Sequence, residues 1–223
     1  GANRGLGLEF ARQYLDDGWD VIATCSNAGQ ATALKALAGS SAGTLAVHGM
    51  AVDDDGAITA LAQDLSGQAI DVLINNAGVM GPRLSFGELD SAAWAEVLRI
   101  NVIAPLKVAE AFVGHVARSD QKKIVTVSSK MGSMTDNTSG GSFIYRSSKA
   151  GVNAAMRSLS FEVAPQGIAS AMLHPGWVRT DMGGPNGLID ATESVSGMRS
   201  VIAALDADMS GRFWNYDGTE IPW

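Results

Sequence analysis

Short runs of β-branched and apolar residues alternate along this chain with longer segments of helical spacing, and that alternation leaves few folds open. The apolar runs are Val21 to Cys25, Thr44 to Met50, Asp71 to Ile74, Lys123 to Val127, Ala169 to Leu173 and Arg212 to Tyr216. Most are nearly continuous in apolar residues, as strands buried on both faces are. Between them, Leu6 to Asp17, Ala57 to Leu65, Ala92 to Ala117 and Tyr145 to Val163 carry helical periodicity. The alternation predicts an α/β fold, a doubly wound parallel sheet with helices on both faces. At 223 residues, 46% of them hydrophobic, the chain holds one sizeable core, so a single domain over residues 1–223 is expected.

Charge narrows the partners. Sixteen basic residues against 23 acidic ones give a net charge of -7, the wrong sign for a surface that binds nucleic acid or an anionic membrane. Any phosphate ligand must therefore be held locally. No apolar run approaches the roughly 18 residues of a membrane helix, and no basic-then-apolar leader is present, so a cytoplasmic protein is expected. Cys25 is the only cysteine, which excludes an internal disulfide. His48, His115 and His174 lack ligand spacing, and no metal is expected. The sequence opens directly at a glycine turn of the kind that follows a buried strand, so about six to eight further residues, forming a first strand, are expected upstream.

The turn itself is Gly1-Ala2-Asn3-Arg4-Gly5-Leu6-Gly7, opening a helix. Its glycines let the backbone approach a pyrophosphate, whose charge then meets free N–H groups at the helix N-terminus. Asn75-Asn76-Ala77-Gly78 ends a strand, and in an open parallel sheet ligands bind beyond the strand C-termini. Tyr145 and Lys149 stand four apart on one face of a helix, and Ser129 follows a strand that shares the same sheet edge. A phenol needs a neighbouring cation to act as an acid and base near neutral pH, and Lys149 is placed to supply it. Ser129 can hold a substrate oxygen. Asn101 lies in the segment before Pro105, whose missing N–H and bulky ring release the carbonyl four residues back, that of Asn101, to hold an ordered water.

Taken together, Gly1 to Gly7, Asn75 to Gly78, Asn101, Ser129, Tyr145-x-x-x-Lys149 and Pro175-Gly176 resemble the short-chain dehydrogenases/reductases over essentially the whole chain. More narrowly, Asn137 to Gly141, His174 to Gly184 and Asn215 to Gly218 resemble the C-factor and sniffer-type carbonyl reductase branch. The resemblance implies a Rossmann-like sheet with the further strand at its centre. It assigns catalysis to Asn101, Ser129, Tyr145 and Lys149: Tyr145 protonates the carbonyl, Lys149 lowers the tyrosine pKa and holds the ribose, Ser129 polarises the substrate and Asn101 holds a relay water. Asn76 and Ala77, with Gly78, would line the adenosine side, and Pro175, Gly176, Val178 and Thr180 the nicotinamide side. Where relatives carry Asp-Val-x-Asp for the adenine, this chain reads Ala51-Val52-Asp53-Asp54, so the adenine contact is either weaker or borrowed from Asp53.

NADP(H) is expected over NAD(H). No carboxylate ends Val21 to Cys25, where one would bond the ribose hydroxyls of NAD. Arg4 sits in the turn, with Asn3, Gly5 and Leu6 around it, and Ser26 and Asn27 can donate beside it. The expected partner is a small carbonyl or alcohol substrate, with the long helices offering a homodimer or homotetramer interface. The stretch Thr180 to Met198, short and glycine-rich, suggests an open pocket; Trp177 and Trp223 are candidate walls, Trp223 by folding back over the cleft. A dinucleotide-binding sensor of C-factor type, with incidental turnover, is the alternative.

Overall fold

All six expected strands form in the computed structural model, each within one residue of its expected bounds, and the structure describes residues 1–39 and 42–223. In chain order the elements are α1 (Gly5–Asp16), β1 (Val21–Cys25), α2 (Thr32–Ala36), β2 (Leu45–Gly49), α3 (Asp55–Asp64), β3 (Val72–Asn75), α4 (Ser91–Leu98), α5 (Ala104–Ala117), β4 (Lys123–Val127), α6 (Phe143–Val163), β5 (Ala169–His174), α7 (Ala191–Ala204) and β6 (Phe213–Asn215). Every strand pairing is parallel: β1 with β2, and β3, β4, β5 and β6 side by side in that order. β1 and β3 are not hydrogen-bonded to one another. They face each other across a cavity of about 760 Å³ lined by Val21 to Thr24 and Val72 to Asn75.

The helices cover both faces, as the two-sided apolar strands require. On one face α1 and α7 set Phe10, Tyr14, Val195 and Met198 against Val125, Val127 and Leu173. On the other, α5 and α6 set Ala109, Val116, Val152 and Met156 against Ile124, Met172 and Phe213. α3 packs Ile58 and Leu61 beneath Val108 and Phe112 of α5, and Leu34 of α2 covers Ala23 and Cys25 of β1. Fully burying one such side chain stabilises the fold by about 1.5–3 kcal/mol. β4 is buried along its whole length. Even its Lys123 is accommodated, because the ammonium donates to the Ile202 and Ala203 carbonyls at 2.8 and 2.9 Å and closes the end of α7.

Two elements differ from the sequence reading. Ala92 to Ala117 is not one helix: between α4 and α5 the chain widens into a π-turn at Arg99–Ile103, where the Ala104 N–H bonds the Arg99 carbonyl five residues back. Pro105 follows at once, and a residue that cannot donate there weakens the α-ladder locally and admits the wider turn. The other is α7, absent from the expected helices, which begins inside Thr180 to Met198 and is capped by Asp190, whose carboxylate accepts the Glu193 N–H at 2.8 Å.

Candidate active site

The C-terminal ends of β1, β3, β4 and β5 bring the expected site residues to one edge of the sheet. At the centre, Ser129 follows β4 and uses its oxygen to accept the Met131 N–H at 3.2 Å, leaving its own O–H to donate. Tyr145 and Lys149 project from the first turns of α6 and are buried, at 8% and 6% exposure. Burial pushes the Tyr145 phenol up, and the Ser129 hydroxyl, close enough to bond it, pulls it down. The Lys149 ammonium donates to the Val127 carbonyl at 3.0 Å and stands 5.8 Å from the centre of the Tyr145 ring. Burial lowers its pKa to about 8.

Asn101 sits in the π-turn at 1% exposure, and its side chain ties three segments together. Its oxygen accepts the Val79 N–H at 2.8 Å, and its amide donates to the Val79 carbonyl at 2.8 Å and to Ser148 Oγ at 3.0 Å. The loop after β3 is thereby held against α6 one residue from Lys149. Asn75 works the same way lower down, donating to the Pro105 carbonyl at 3.2 Å.

The glycine turn lies beside this centre. Its seat is too close for any side chain at Gly7: a Cβ there would stand 2.1 Å from the Gly1 carbonyl oxygen and 2.6 Å from Asn76 Nδ2. Asn76 fixes the turn by donating to that same carbonyl at 2.9 Å, and Ala77 packs against Gly1. Arg4 occupies the N-cap of α1 without a capping side-chain bond, so the first N–H groups of this 12-residue helix have no side-chain acceptor. Asn3, Arg4 and Gly5 are exposed there, while Leu6 packs inward against the α1–α7 core. This bare helix end above a glycine seat fits a pyrophosphate.

Ser26 and Asn27 are exposed past the end of β1; Asn27 spends its oxygen on the Gln30 N–H at 3.3 Å, and its NH₂ donates to no acceptor among the described residues. Asp53 is not free for an adenine, because Arg99 bonds its carboxylate at 2.6 Å and its carbonyl at 2.7 Å. On the opposite wall, the Pro175 carbonyl accepts from Ser194, and Gly176 packs on the Tyr216 ring. Val178 is buried and bridges Ile189, and Thr180 Oγ1 accepts the Gly183 N–H at 3.2 Å. Trp223 does not fold over the cleft. It stacks on Phe213 of β6, 6.0 Å between ring centres, and its carbonyl accepts both donors of Thr135.

Sequence reasoning passed over three participants. Gly132 lies so close to α6 that a Cβ would stand 2.7–3.0 Å from the Lys149 carbonyl group and the Ala150 nitrogen. His174, at the end of β5, is half-buried with its Nδ1 enclosed and unpartnered, and its register neighbour on β6, Asn215, has its Oδ1 enclosed and unpartnered too. Asp181 pairs with Arg4. Among the described residues, no three metal-ligating side chains come together, and no helix is long and apolar enough to cross a membrane.

A profile described as short chain dehydrogenase matches residues 1–188. The chain belongs to this family. Among the relatives of this short-chain dehydrogenase is the C-signal protein of Myxococcus xanthus, 46% identical over 154 residues, which cover 69% of this chain and 93% of that one. Carbonyl reductase Sniffer of D. melanogaster is 32% identical with a TM-score of 0.91, over all of this chain and 97% of that one. The NADPH-bound carbonyl reductase from chicken fatty liver is 35% identical with a TM-score of 0.91, over 100% and 96% of the two chains. The dehydrogenase fold and the branch resemblance are thus both present.

Proposed function

We propose that the chain is an NADP(H)-dependent carbonyl reductase that reduces a small or medium aldehyde, ketone or quinone, or oxidises the matching alcohol. The observation that carries the reading is the meeting of Ser129, Tyr145 and Lys149 at one sheet edge beside the bare N-terminus of α1. When bound, the nicotinamide supplies or accepts the hydride. The chain's own residues do the rest. Ser129 O–H donates to the substrate oxygen and Tyr145 O–H delivers the proton to it. Lys149 provides a buried positive charge beside the phenol and a donor for a ribose hydroxyl. Asn101 holds the loop after β3 in place, and a water on its carbonyl would return a proton towards Lys149.

Tyr145→Phe tests this. That variant should keep nucleotide affinity and lose about 10²–10⁴-fold in turnover, the usual contribution of an acid–base group. Near-normal reduction of every responsive carbonyl would sink the assignment. The preference for NADPH rests on Arg4, Ser26 and Asn27 together with Cys25 where an acid would stand, and Cys25→Asp should shift it towards NADH. The likeness to C-signal favours a second reading, a dinucleotide-binding signalling protein with incidental turnover. A pure sensor has no use for the acid–base pair, so a screen of carbonyl compounds with both reduced nucleotides separates the two. The homodimer or homotetramer expected from the long helices is likewise a proposal, to be read by sedimentation.

A further inference from the structure

Arg4 and Asp181 stand 177 positions apart in sequence on opposite walls of the nucleotide cleft, and Arg4 Nη1 donates to Asp181 Oδ2 at 3.4 Å. The walls come close at this point, since a Cβ on Gly5 would lie 3.8 Å from Thr180 Cγ2. Among the described residues neither side chain has another polar partner, and both are open to solvent, at 75% and 83% side-chain exposure. Lys35, a second cation on the Arg4 side, is turned to the Gly29 carbonyl at 3.4 Å. Arg4 is thus the guanidinium available to an anion in the cleft, and one anion already holds it.

We infer that Asp181 sets the selectivity between NADPH and NADH by competing with the 2′-phosphate for Arg4. This rests on the reading of Arg4 as the phosphate contact. In the free protein the carboxylate keeps the guanidinium across the cleft. A nucleotide carrying a 2′-phosphate takes Arg4 from it by offering more oxygens and more charge in a bidentate geometry. NADH has nothing to exchange, so the Arg4–Asp181 pair survives its binding. The pair is single-pointed and exposed, so the exchange is favourable, yet its loss is subtracted from every phosphate contact made. Asp181 therefore weakens NADPH binding without touching the nucleotide, and it does so only through Arg4.

The test is equilibrium titration of the whole protein with NADPH, NADH, adenosine 2′,5′-bisphosphate and AMP, comparing the unmodified chain with Asp181→Asn, Asp181→Ser, Arg4→Ala and Arg4→Ala/Asp181→Asn. The two Asp181 variants should each bind NADPH and the bisphosphate about three- to fivefold more tightly, the upper range for releasing an exposed ion pair, with NADH and AMP nearly unchanged. In the Arg4→Ala background the gain should vanish. Weaker binding of both dinucleotides by the Asp181 variants would mean that the pair clasps the cleft shut, and would overturn the inference. A gain that persists without Arg4 would overturn it too, reducing Asp181 to a repulsive charge. If Arg4→Ala costs NADPH no more than NADH, the phosphate reading falls and this inference with it. If Arg4→Ala is selective but the Asp181 variants are neutral, only this inference falls.

Discussion

Lys149 exchanges full hydration for one carbonyl, that of Val127, and its pKa near 8 records the cost. The proposed reaction needs the cation, so kcat/KM for NADPH should fall as pH rises through about 8. That ratio reports the free protein. A profile flat across this range would show that the cation is not required. His174 makes the opposite kind of claim, on stability. Burial lowers its pKa from 6.5 to about 4, helped by Lys130 and opposed by Asp136 and Asp217. The fold favours the neutral ring, so its stabilising effect is whole above pH 6.5 and is lost as pH falls towards 4, by about 3 kcal/mol when complete. Denaturant titrations of His174→Gln should show a shallower acid limb than the parent; identical limbs would place the acid sensitivity elsewhere. Ser129, Tyr145 and Lys149 were legible in sequence because helix period and strand end fix where they meet. His174 and Asp181 were not, since what makes them matter, a ring nitrogen enclosed without a partner and a pairing with Arg4, is supplied only by the tertiary structure.

Between elements, the contact that most directly governs the site is the seat of the loop after β4 on α6 at Gly132. Gly132→Ala must push that loop or the backbone of Lys149 by a few tenths of an ångström or more. We expect a loss of about 1–3 kcal/mol from overpacking, and turnover reduced further than that loss of folded protein explains. Full activity in a stably folded variant would show that Lys149 is positioned by α6 alone. The strands were readable because burial on both faces writes a continuous apolar run, and the helices α1, α3 and α6 because theirs is periodic. α7 was hidden by Gly197 in its middle, which reads as a breaker. In the fold it is where the helix meets β6, and a Cβ there would stand 2.5 Å from the Tyr216 carbonyl oxygen. Pro105 gave half of the π-turn away, marking the weak ladder without saying that the chain would add a residue to its turn.

At the scale of the whole molecule, the proposed nucleotide site is assembled from α1, β1, β3, β4, α6 and the loop after β5, so a bound nucleotide should stabilise all of them as one unit. At about a hundredfold excess over Kd a ligand adds about 2.7 kcal/mol. Thermal unfolding should therefore rise with NADPH, and by less with NADH at equal concentration; a larger rise with NADH would contradict the cofactor assignment. The same assembly has a consequence for the order of synthesis. The turn near Gly1 leaves the ribosome well before its opposite wall at Thr180 and Asp181, which emerges last among the site residues. Until then the nascent chain displays the uncapped start of α1 with nothing across from it, and parallel pairing over such separations is slow. Nucleotide cannot serve as an early template for this fold, and the segment around Gly1 to Gly7 should stay open to proteases until Thr180 and Asp181 have emerged.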